Sequence, residues 1–148
     1  MLSISHSLTG ALIATKISNP LISIPLIFAS HYLEDWIPHW DVGTGLSNGT
    51  RKKRTAILME FGELAITFGL IYFFWQYQRP EINIQAWFGA FVGLIPDFLE
   101  APNNFLNIHP KITKPLNDLH GFFHGSIPNK FWGLLPQVCL WVAIWFLK

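Results

Sequence analysis

Charged residues are scarce in this chain of 148 residues: Asp, Glu, Lys and Arg make up 13% of it, whereas soluble domains carry roughly 25%. These charges are too few to cover a water-soluble globule of this size. A single Cys excludes a disulfide-stapled secreted domain, and a net charge of +1 argues against nucleic acid as a partner. Because apolar residues reach 51%, the composition predicts a small polytopic membrane protein.

Apolar blocks alternate with short polar segments along the chain. Five blocks have the length or the pattern of helices: residues 4–17, 21–36, 55–77, 86–99 and 131–147. The block 55–77 is the best candidate to span a hydrocarbon core of about 30 Å, and 101–114 is expected to be irregular. We predict an all-α fold, a single membrane-embedded bundle of four or five helices over residues 1–148. The first two blocks are short, so a partly inserted hairpin is an alternative to two full spans.

A dense basic cluster at residues 51–54 directly precedes the block 55–77. Positively charged residues flank the cytoplasmic ends of membrane helices, so this cluster predicts that the loop before residue 55 lies in the cytoplasm. With alternating helix directions, the block ends that carry His and acidic residues fall on this same side. We therefore expect an integral membrane protein whose polar residues gather at its cytoplasmic face.

Residues 31–41 form a polar, aromatic run at the end of the second block. His31, Glu34 and Asp35 have the i, i+3, i+4 spacing that places side chains on one face of a helix, and His39 follows Asp35 by four. Imidazole and carboxylate groups are ligands of Zn²⁺ and Mn²⁺. A metal site is one interpretation of this run, and a polar helix end at the lipid headgroups is the other.

Two acidic pairs share an i, i+3 spacing. Glu60 and Glu63 lie one to two turns inside the block 55–77, where burying a carboxylate in hydrocarbon costs about 3 kcal/mol. We expect Glu63 to face the bundle interior, and pairing with nearby basic residues at the interface is the alternative. Asp97 and Glu100 close the fourth block with the same spacing.

Histidines provide further candidates. His120 and His124 are four residues apart, a usable ligand spacing if the segment is helical, although the neighbouring Gly121 and Gly125 favour a tight turn instead. His6 stands at the start of the first block, where a structural hydrogen bond is the alternative to a ligand role. Each pattern is weak alone, but together they place five of the six His on one predicted face.

Three short motifs make the chain resemble the inner-membrane metal-dependent hydrolases, a family of small bacterial and archaeal membrane proteins. Residues 6–10 are similar to the family's His-x-x-x-Gly, residues 94–100 to its Leu-Pro-Asp-x-Asp segment, and residues 120–126 to its His-Arg-x-x-Thr-His-Ser segment. Gly121 and Phe123 stand where the family has Arg and Thr, and the second acid of Pro-Asp-x-Asp is absent. The resemblance implies a prokaryotic cytoplasmic membrane and hydrolysis assisted by a bound metal.

We therefore predict a metal-dependent membrane hydrolase with a divalent ion, Zn²⁺ or Mn²⁺, at its cytoplasmic face. Glu34 and Glu63 are candidates for the general base or for supporting a ligand His, and a site at headgroup level suggests a lipid or lipid-linked phosphoester as substrate. The predicted metal ligands are His6, His31, Asp35, Asp97, His120 and His124. Two alternatives stay open: a non-catalytic membrane protein whose polar face binds a metal or a partner, and a small ion-coupled carrier.

Overall fold

The computed structural model describes residues 1–106 and 108–148. Within these ranges the only β-type pairing is one isolated bridge between His39 and Ser126, so the prediction of an all-α fold is confirmed. The last turn of the third helix continues as a π-helix over Tyr72–Gln76. The α-helices of the described residues are α1 (Ser3–Lys16), α2 (Pro20–Trp36), α3 (Lys53–Ile71), α4 (Ile84–Leu106), α5 (Lys114–Phe123) and α6 (Lys130–Leu147).

Asparagine side chains begin two of these helices. Asn19 accepts a hydrogen bond from the backbone N–H of Leu21 at 3.0 Å and caps α2, and Asn129 accepts one from the N–H of Trp132 at 3.2 Å and caps α6. An Asn at this position satisfies one of the N–H groups that the first turn leaves without an intrahelical partner. The polar residues between the apolar blocks thus fix where the helices start.

The second helix ends earlier than the polar run 31–41 suggests. Ile37 precedes Pro38, and a residue before proline is disfavoured in helical conformation, so α2 stops at Trp36 and Ile37 is extended. His39 therefore lies in the loop after α2. The expectation that His39 continues the helical face of Asp35 is wrong for this reason.

The fourth helix is longer than its apolar pattern predicts. It passes Pro96 and Pro102 and ends at Leu106, so residues 101–106, which were expected to be irregular, are helical. Each proline removes one backbone hydrogen bond from the helix, and packing of α4 against α1, α2 and α5 offsets that loss. The added turns extend α4 alongside α5.

Helices α1 and α4 cross with their backbones in contact. A Cβ atom at Gly89 would lie 2.2 Å from the carbonyl oxygen of Gly10, and one at Gly93 would lie 2.4 Å from that of His6. Only glycine permits this approach, and the Gly-x-x-x-Gly spacing in α4 is one that lets membrane helices pack closely. The crossing holds His6 of α1 directly against α4.

His120 and Gly121 lie in the helix Lys114–Phe123, so the tight turn that the glycines favoured is not found at Gly121. His124 follows as its C-cap, with its N–H bonded to the carbonyl of His120 at 2.9 Å. Beyond it, the N–H of His39 donates to Gly125 O at 3.0 Å and the N–H of Ile127 donates to His39 O at 2.7 Å. These bonds fasten the loop after α2 to the segment after α5.

Two helices are long and apolar enough to cross a membrane by length and composition. They are Lys53–Gln76 and Lys130–Leu147, with mean hydropathies of 1.7 and 1.4. Only 17% of each apolar window is buried within the protein, so side chains such as Leu58, Phe68 and Phe146 point outward. An outward apolar surface is what lipid favours and water does not, which supports an integral membrane protein.

Candidate metal centre

Asp35 stands at the centre of a group of histidines at one end of the bundle. It is fully buried, with 0% of its surface exposed. Its Oδ2 lies 2.8 Å from Nε2 of His120 and 3.2 Å from Nε2 of His31, and its Oδ1 lies 3.2 Å from Nε2 of His6. Residues from α1, α2 and α5 therefore converge on one carboxylate.

Helix α4 adds a second carboxylate to this group. Oδ1 of Asp97 lies 3.6 Å from Nε2 of His31 and 3.7 Å from Nε2 of His120. We call His6, His31, Asp35, Asp97 and His120 the Asp35 cluster. Four of its members, His6, His31, Asp35 and Asp97, each offer a ligand atom within 4.8 Å of the others, a separation that one metal ion could bridge. The cluster contains five of the six predicted ligands, and their binding of metal stays a prediction.

The other ring nitrogen of each histidine in this cluster faces an acceptor. Nδ1 of His31 donates to the carbonyl oxygen of Gly93 at 2.8 Å. Nδ1 of His6 lies 2.8 Å from Oε2 of Glu34, and Nδ1 of His120 lies 3.2 Å from Oε2 of Glu100, but neither contact has hydrogen-bond geometry. The carbonyl beside Nδ1 of His31 places the proton there and leaves its Nε2 lone pair for a metal, whereas Nε2 of His120 donates to Oδ2 of Asp35 at 2.8 Å. Nε2 of His31 is buried and has no hydrogen-bond partner among the described residues.

The amino group of Met1 also contacts the Asp35 cluster. The amino group of Met1 donates to Oδ1 of Asp35 and lies 3.0 Å from Nε2 of His6. Both contacts are buried.

His124, the sixth predicted ligand, lies beside the Asp35 cluster in a second group. We call His39, Asp41 and His124 the Asp41 cluster. Nε2 of His39 and Nε2 of His124 each lie 3.2 Å from Oδ2 of Asp41, and the two Nε2 atoms are 3.4 Å apart. Nε2 of His39 also lies 3.8 Å from Oδ1 of Asp35, so the two clusters adjoin.

Burial and charge shift the pKa values of two groups in this loop. Burial lowers the pKa of His39 below its ordinary value, which keeps its imidazole neutral at pH 7. Burial alone would raise the pKa of Asp41, but the imidazoles of His124 and His39 outweigh it and hold that pKa well below its usual range. A neutral imidazole and an ionised carboxylate are the protonation states that bind a metal.

The two predicted catalytic carboxylates lie in different surroundings. Glu34 is buried and its Oε2 contacts His6. Glu63 is 6% exposed, as expected for a residue that faces the interior, and its Oε1 accepts the N–H of Ile4 at 3.4 Å. Because Ile4 is in the first turn of α1, the carboxylate stabilises the positive end of that helix.

A cavity of about 910 Å³ lies against both clusters. Asp41, Asp97, His120 and His124 line its polar side, and Glu60 and Glu63 also border it. Its apolar wall is formed by side chains of the helices around it, among them Ile57, Phe61, Leu64, Phe98 and Leu106.

Sequence reasoning missed three residues of this region. His39 and Asp41 reach the site through the loop after α2, and their membership of the polar run 31–41 was the available signal. Gln137 is fully buried in α6, where its Nε2 donates to Trp40 O at 2.8 Å and its Oε1 accepts the N–H of Leu2 at 2.8 Å. A lone amide in an apolar block was its signal, because polar groups within such helices rarely face lipid.

The comparisons with known proteins do not extend this description. No family model, no curated protein and no solved structure matches the chain. The resemblance to the inner-membrane metal-dependent hydrolases therefore stays a prediction from three short motifs. The function proposed below depends on the geometry of the described residues.

Proposed function

We propose that the chain is a membrane hydrolase that holds a divalent metal ion in the Asp35 cluster. One observation carries this proposal: the three buried imidazoles of His6, His31 and His120 turn Nε2 toward Asp35, and Nδ1 of His31 donates to the carbonyl oxygen of Gly93 behind it. A histidine with only a structural role needs no shared target for its second nitrogen. Acceptors behind ligand histidines are the usual support of metal sites.

The donor set suits Zn²⁺ or Mn²⁺. Imidazole and carboxylate ligands are common to both ions. Nε2 of His31 is buried and has no hydrogen-bond partner among the described residues, so its lone pair is available to a metal ion. A bound ion of this kind lowers the pKa of water to about 7 and polarises the bond to be cleaved. His6, His31, Asp35, Asp97 and His120 would hold it.

The acidic residues around the cluster have separate roles in this proposal. Glu34 positions His6 through the contact with Nδ1, so it supports a ligand. Glu63 borders the cavity, and its Oε2 is buried with no hydrogen-bond partner among the described residues. Glu63 is therefore the candidate to accept the proton of the attacking water, as a general base does.

A lipid or lipid-linked phosphoester fits the cavity best. The polar side of the cavity carries the ligands, where a phosphate group would be bound, and Phe61, Phe98 and Leu106 supply a wall for an acyl chain. Pockets that bury most of a ligand combine such apolar walls with a few convergent polar groups. The substrate class follows from this pairing.

A bundle of four or five membrane helices, with the cluster in the cytoplasm, completes the proposal. Arg51 donates to Asp41 O at 3.2 Å and lies over the ring of Trp40 at 5.0 Å, so the basic segment adjoins the cluster. By helix order, seven of the ten basic residues fall at this end: Arg51, Lys52, Lys53, Arg54, Lys111, Lys114 and Lys130. The excess favours the cytoplasm under the positive-inside rule.

Reporter fusions test the orientation. A reporter inserted at Ser47 should be active in the cytoplasm, and one fused after Lys148 should be active on the opposite side, because α6 leads from the cluster end to the other end of the bundle. At each site the cytoplasmic reporter is compared with a second reporter that is active only on the non-cytoplasmic side of the membrane. Two fusions on the same side would contradict the proposed topology.

Metal analysis tests the cluster. Protein purified in detergent should carry near-stoichiometric Zn²⁺ or Mn²⁺, and His31→Ala should lose it because a ligand is removed. His109→Ala is the matched control, since His109 is the one histidine outside both clusters. Equal metal content in all three proteins would overturn the proposal. Release of phosphate from detergent-dispersed phosphatidic acid, abolished by a chelator, is the expected activity.

A non-catalytic metal-binding protein is the second candidate. Gly121 borders the cavity, and a Cβ atom there would meet nothing within 4 Å, so the place of the resembled family's Arg is open space. An Arg at such a position would clamp a phosphate group. Metal binding that depends on His31 without hydrolysis of any phosphoester lipid tried would favour this candidate.

A further inference from the structure

The Asp41 cluster has the spacing of a metal site in its own right. Its three side-chain atoms, Nε2 of His39, Oδ2 of Asp41 and Nε2 of His124, are separated by 3.2, 3.2 and 3.4 Å. Zinc ligands at about 2.0–2.1 Å in a regular tetrahedron lie roughly 3.3–3.4 Å from one another. The three atoms therefore form a triangle of the size of one face of such a tetrahedron.

The free oxygen of Asp41 supports this interpretation. Asp41 is 6% exposed, and its Oδ2 has no hydrogen-bond partner of good geometry among the described residues. The other oxygen, Oδ1, accepts the N–H of Thr44 at 2.6 Å. The carboxylate is thus fixed on one side and open on the side that faces the two imidazoles. The two imidazoles lie 3.2 Å from this oxygen without hydrogen-bond geometry, so a cation bound between the three groups would satisfy it.

The surrounding backbone holds the Asp41 cluster in place. Nδ1 of His39 donates to the carbonyl of Ile37 at 2.8 Å, which leaves Nε2 as the acceptor. The N–H of Trp40 donates to Gly133 O at 3.1 Å. A Cβ atom at Gly133 would lie 2.3 Å from the nitrogen of Trp40, so α6 packs directly on the loop that carries Asp41.

We propose that His39, Asp41 and His124 bind a second divalent metal ion, and that Asp35 links it to the ion of the Asp35 cluster. The link is the 3.8 Å contact between Oδ1 of Asp35 and Nε2 of His39. Asp41 and His124 border the cavity, so a remaining coordination position faces it. This inference rests on the proposed function and adds a second ion to it.

A dinuclear centre narrows the substrate class. Two neighbouring ions are typical of enzymes that bind and cleave phosphoesters, because they contact more than one oxygen of the reacting group. The side chains of the two clusters supply three carboxylates and five imidazoles, enough for two ions with three or four protein ligands each. The second ion therefore favours a phosphoester over a carboxylic ester.

The test is the number of metal ions bound per chain. Detergent-purified protein, reloaded with Zn²⁺ and dialysed, should hold two equivalents by elemental analysis. Asp41→Asn should hold one, and His124→Ala should also hold one; His124 is the least buried member of the cluster, with a side chain 31% exposed, so that variant should fold. Thr50→Val, at an exposed position of the same loop that makes no hydrogen bond to Asp41, is the matched control and should keep both equivalents.

Separate outcomes overturn separate proposals. One equivalent in the unaltered protein, unchanged in Asp41→Asn and His124→Ala and lost in His31→Ala, would overturn the second site and leave the Asp35 cluster intact. No equivalent in the unaltered protein would overturn both. Two equivalents that persist in His124→Ala and Asp41→Asn would also overturn the assignment of these ligands.

Discussion

The two ends of the helix bundle differ in what they bury. At the end that carries the clusters, imidazoles and carboxylates are packed against one another, and His6, His31, Asp35 and His39 are each at most 1% exposed. At the opposite end, rings of Phe73 and Trp145 stack with centroids 5.6 Å apart. A bundle needs only packing of the second kind to be stable, because burying charges costs several kcal/mol per ion. The buried polar groups of the cluster end therefore need a compensating interaction, and the proposed metal ions would supply it.

Polar groups at the opposite end meet ordinary backbone partners. Lys148 donates to Phe74 O at 3.0 Å, and the amide of Gln76 donates to Glu81 O at 3.0 Å and accepts the N–H of Asn83 at 2.9 Å. None of these contacts brings ligand atoms together. The contrast indicates that the unpartnered atoms of the cluster end, such as Nε2 of His31, are specific to that end.

The largest expected effect concerns the helix crossing that the cluster end depends on. Gly89→Ala should lower the free energy of unfolding by about 3 kcal/mol, because the new Cβ would overlap a backbone oxygen of α1 that cannot move alone. Thermal unfolding in detergent measures it. Gly62→Ala in α3 is the control: its Cβ would meet nothing within 4 Å, and Ala gains up to about 1 kcal/mol over Gly in a helix. Equal stability of the two variants would contradict the crossing.

Removal of metal should have the next largest effect. An ion present at 100 times its dissociation constant stabilises the folded protein by about 2.7 kcal/mol, so a chelator should lower the unfolding temperature of the unaltered protein. Asp35→Asn, which lacks the central ligand charge, should respond less, because only the Asp41 cluster could still hold an ion. A chelator effect of the same size in both proteins would show that the stabilising ion is bound elsewhere.

The smallest expected effect comes from a residue that supports a ligand. Glu34→Gln keeps the size of the side chain but removes the charge beside Nδ1 of His6, and loss of such a partner weakens metal affinity by roughly 10–100-fold. Titration with Zn²⁺ measures the change. Glu81→Gln, at the opposite end of the bundle, makes the same chemical change and should leave the affinity unaltered. A shift of equal size in both variants would remove the distinction between the two ends.

The helices were predictable because their signals are local. Apolar blocks bounded by polar residues gave α1, α2, α3 and α6 within a few residues, and the i, i+4 spacing of His31 and Asp35 holds on α2. The extension of α4 past Pro102 was missed, since that helix is maintained by contacts with other helices and not by its own sequence. Tertiary packing of this kind leaves no periodic trace.

The composition of the clusters was only partly predictable. Residue chemistry pointed to the members of the Asp35 cluster, but the pairing of His39 with His124 joins residues 85 positions apart in the chain. It depends on the stop that Pro38 imposes on α2 and on backbone bonds between His39 and Gly125. Neither consequence can be derived from spacing, because both depend on where the loops meet.

Gly93 affects both the packing of α1 against α4 and the hydrogen bond of His31. Because it has no side chain, α1 can approach it at the carbonyl of His6. Its own carbonyl oxygen accepts a hydrogen bond from Nδ1 of His31. Any side chain at residue 93 would push α1 away and move the acceptor of His31 with it. Substitutions at this position are therefore not expected to raise the stability of the protein. A change that alters the spacing of the two helices also alters the tautomer of His31.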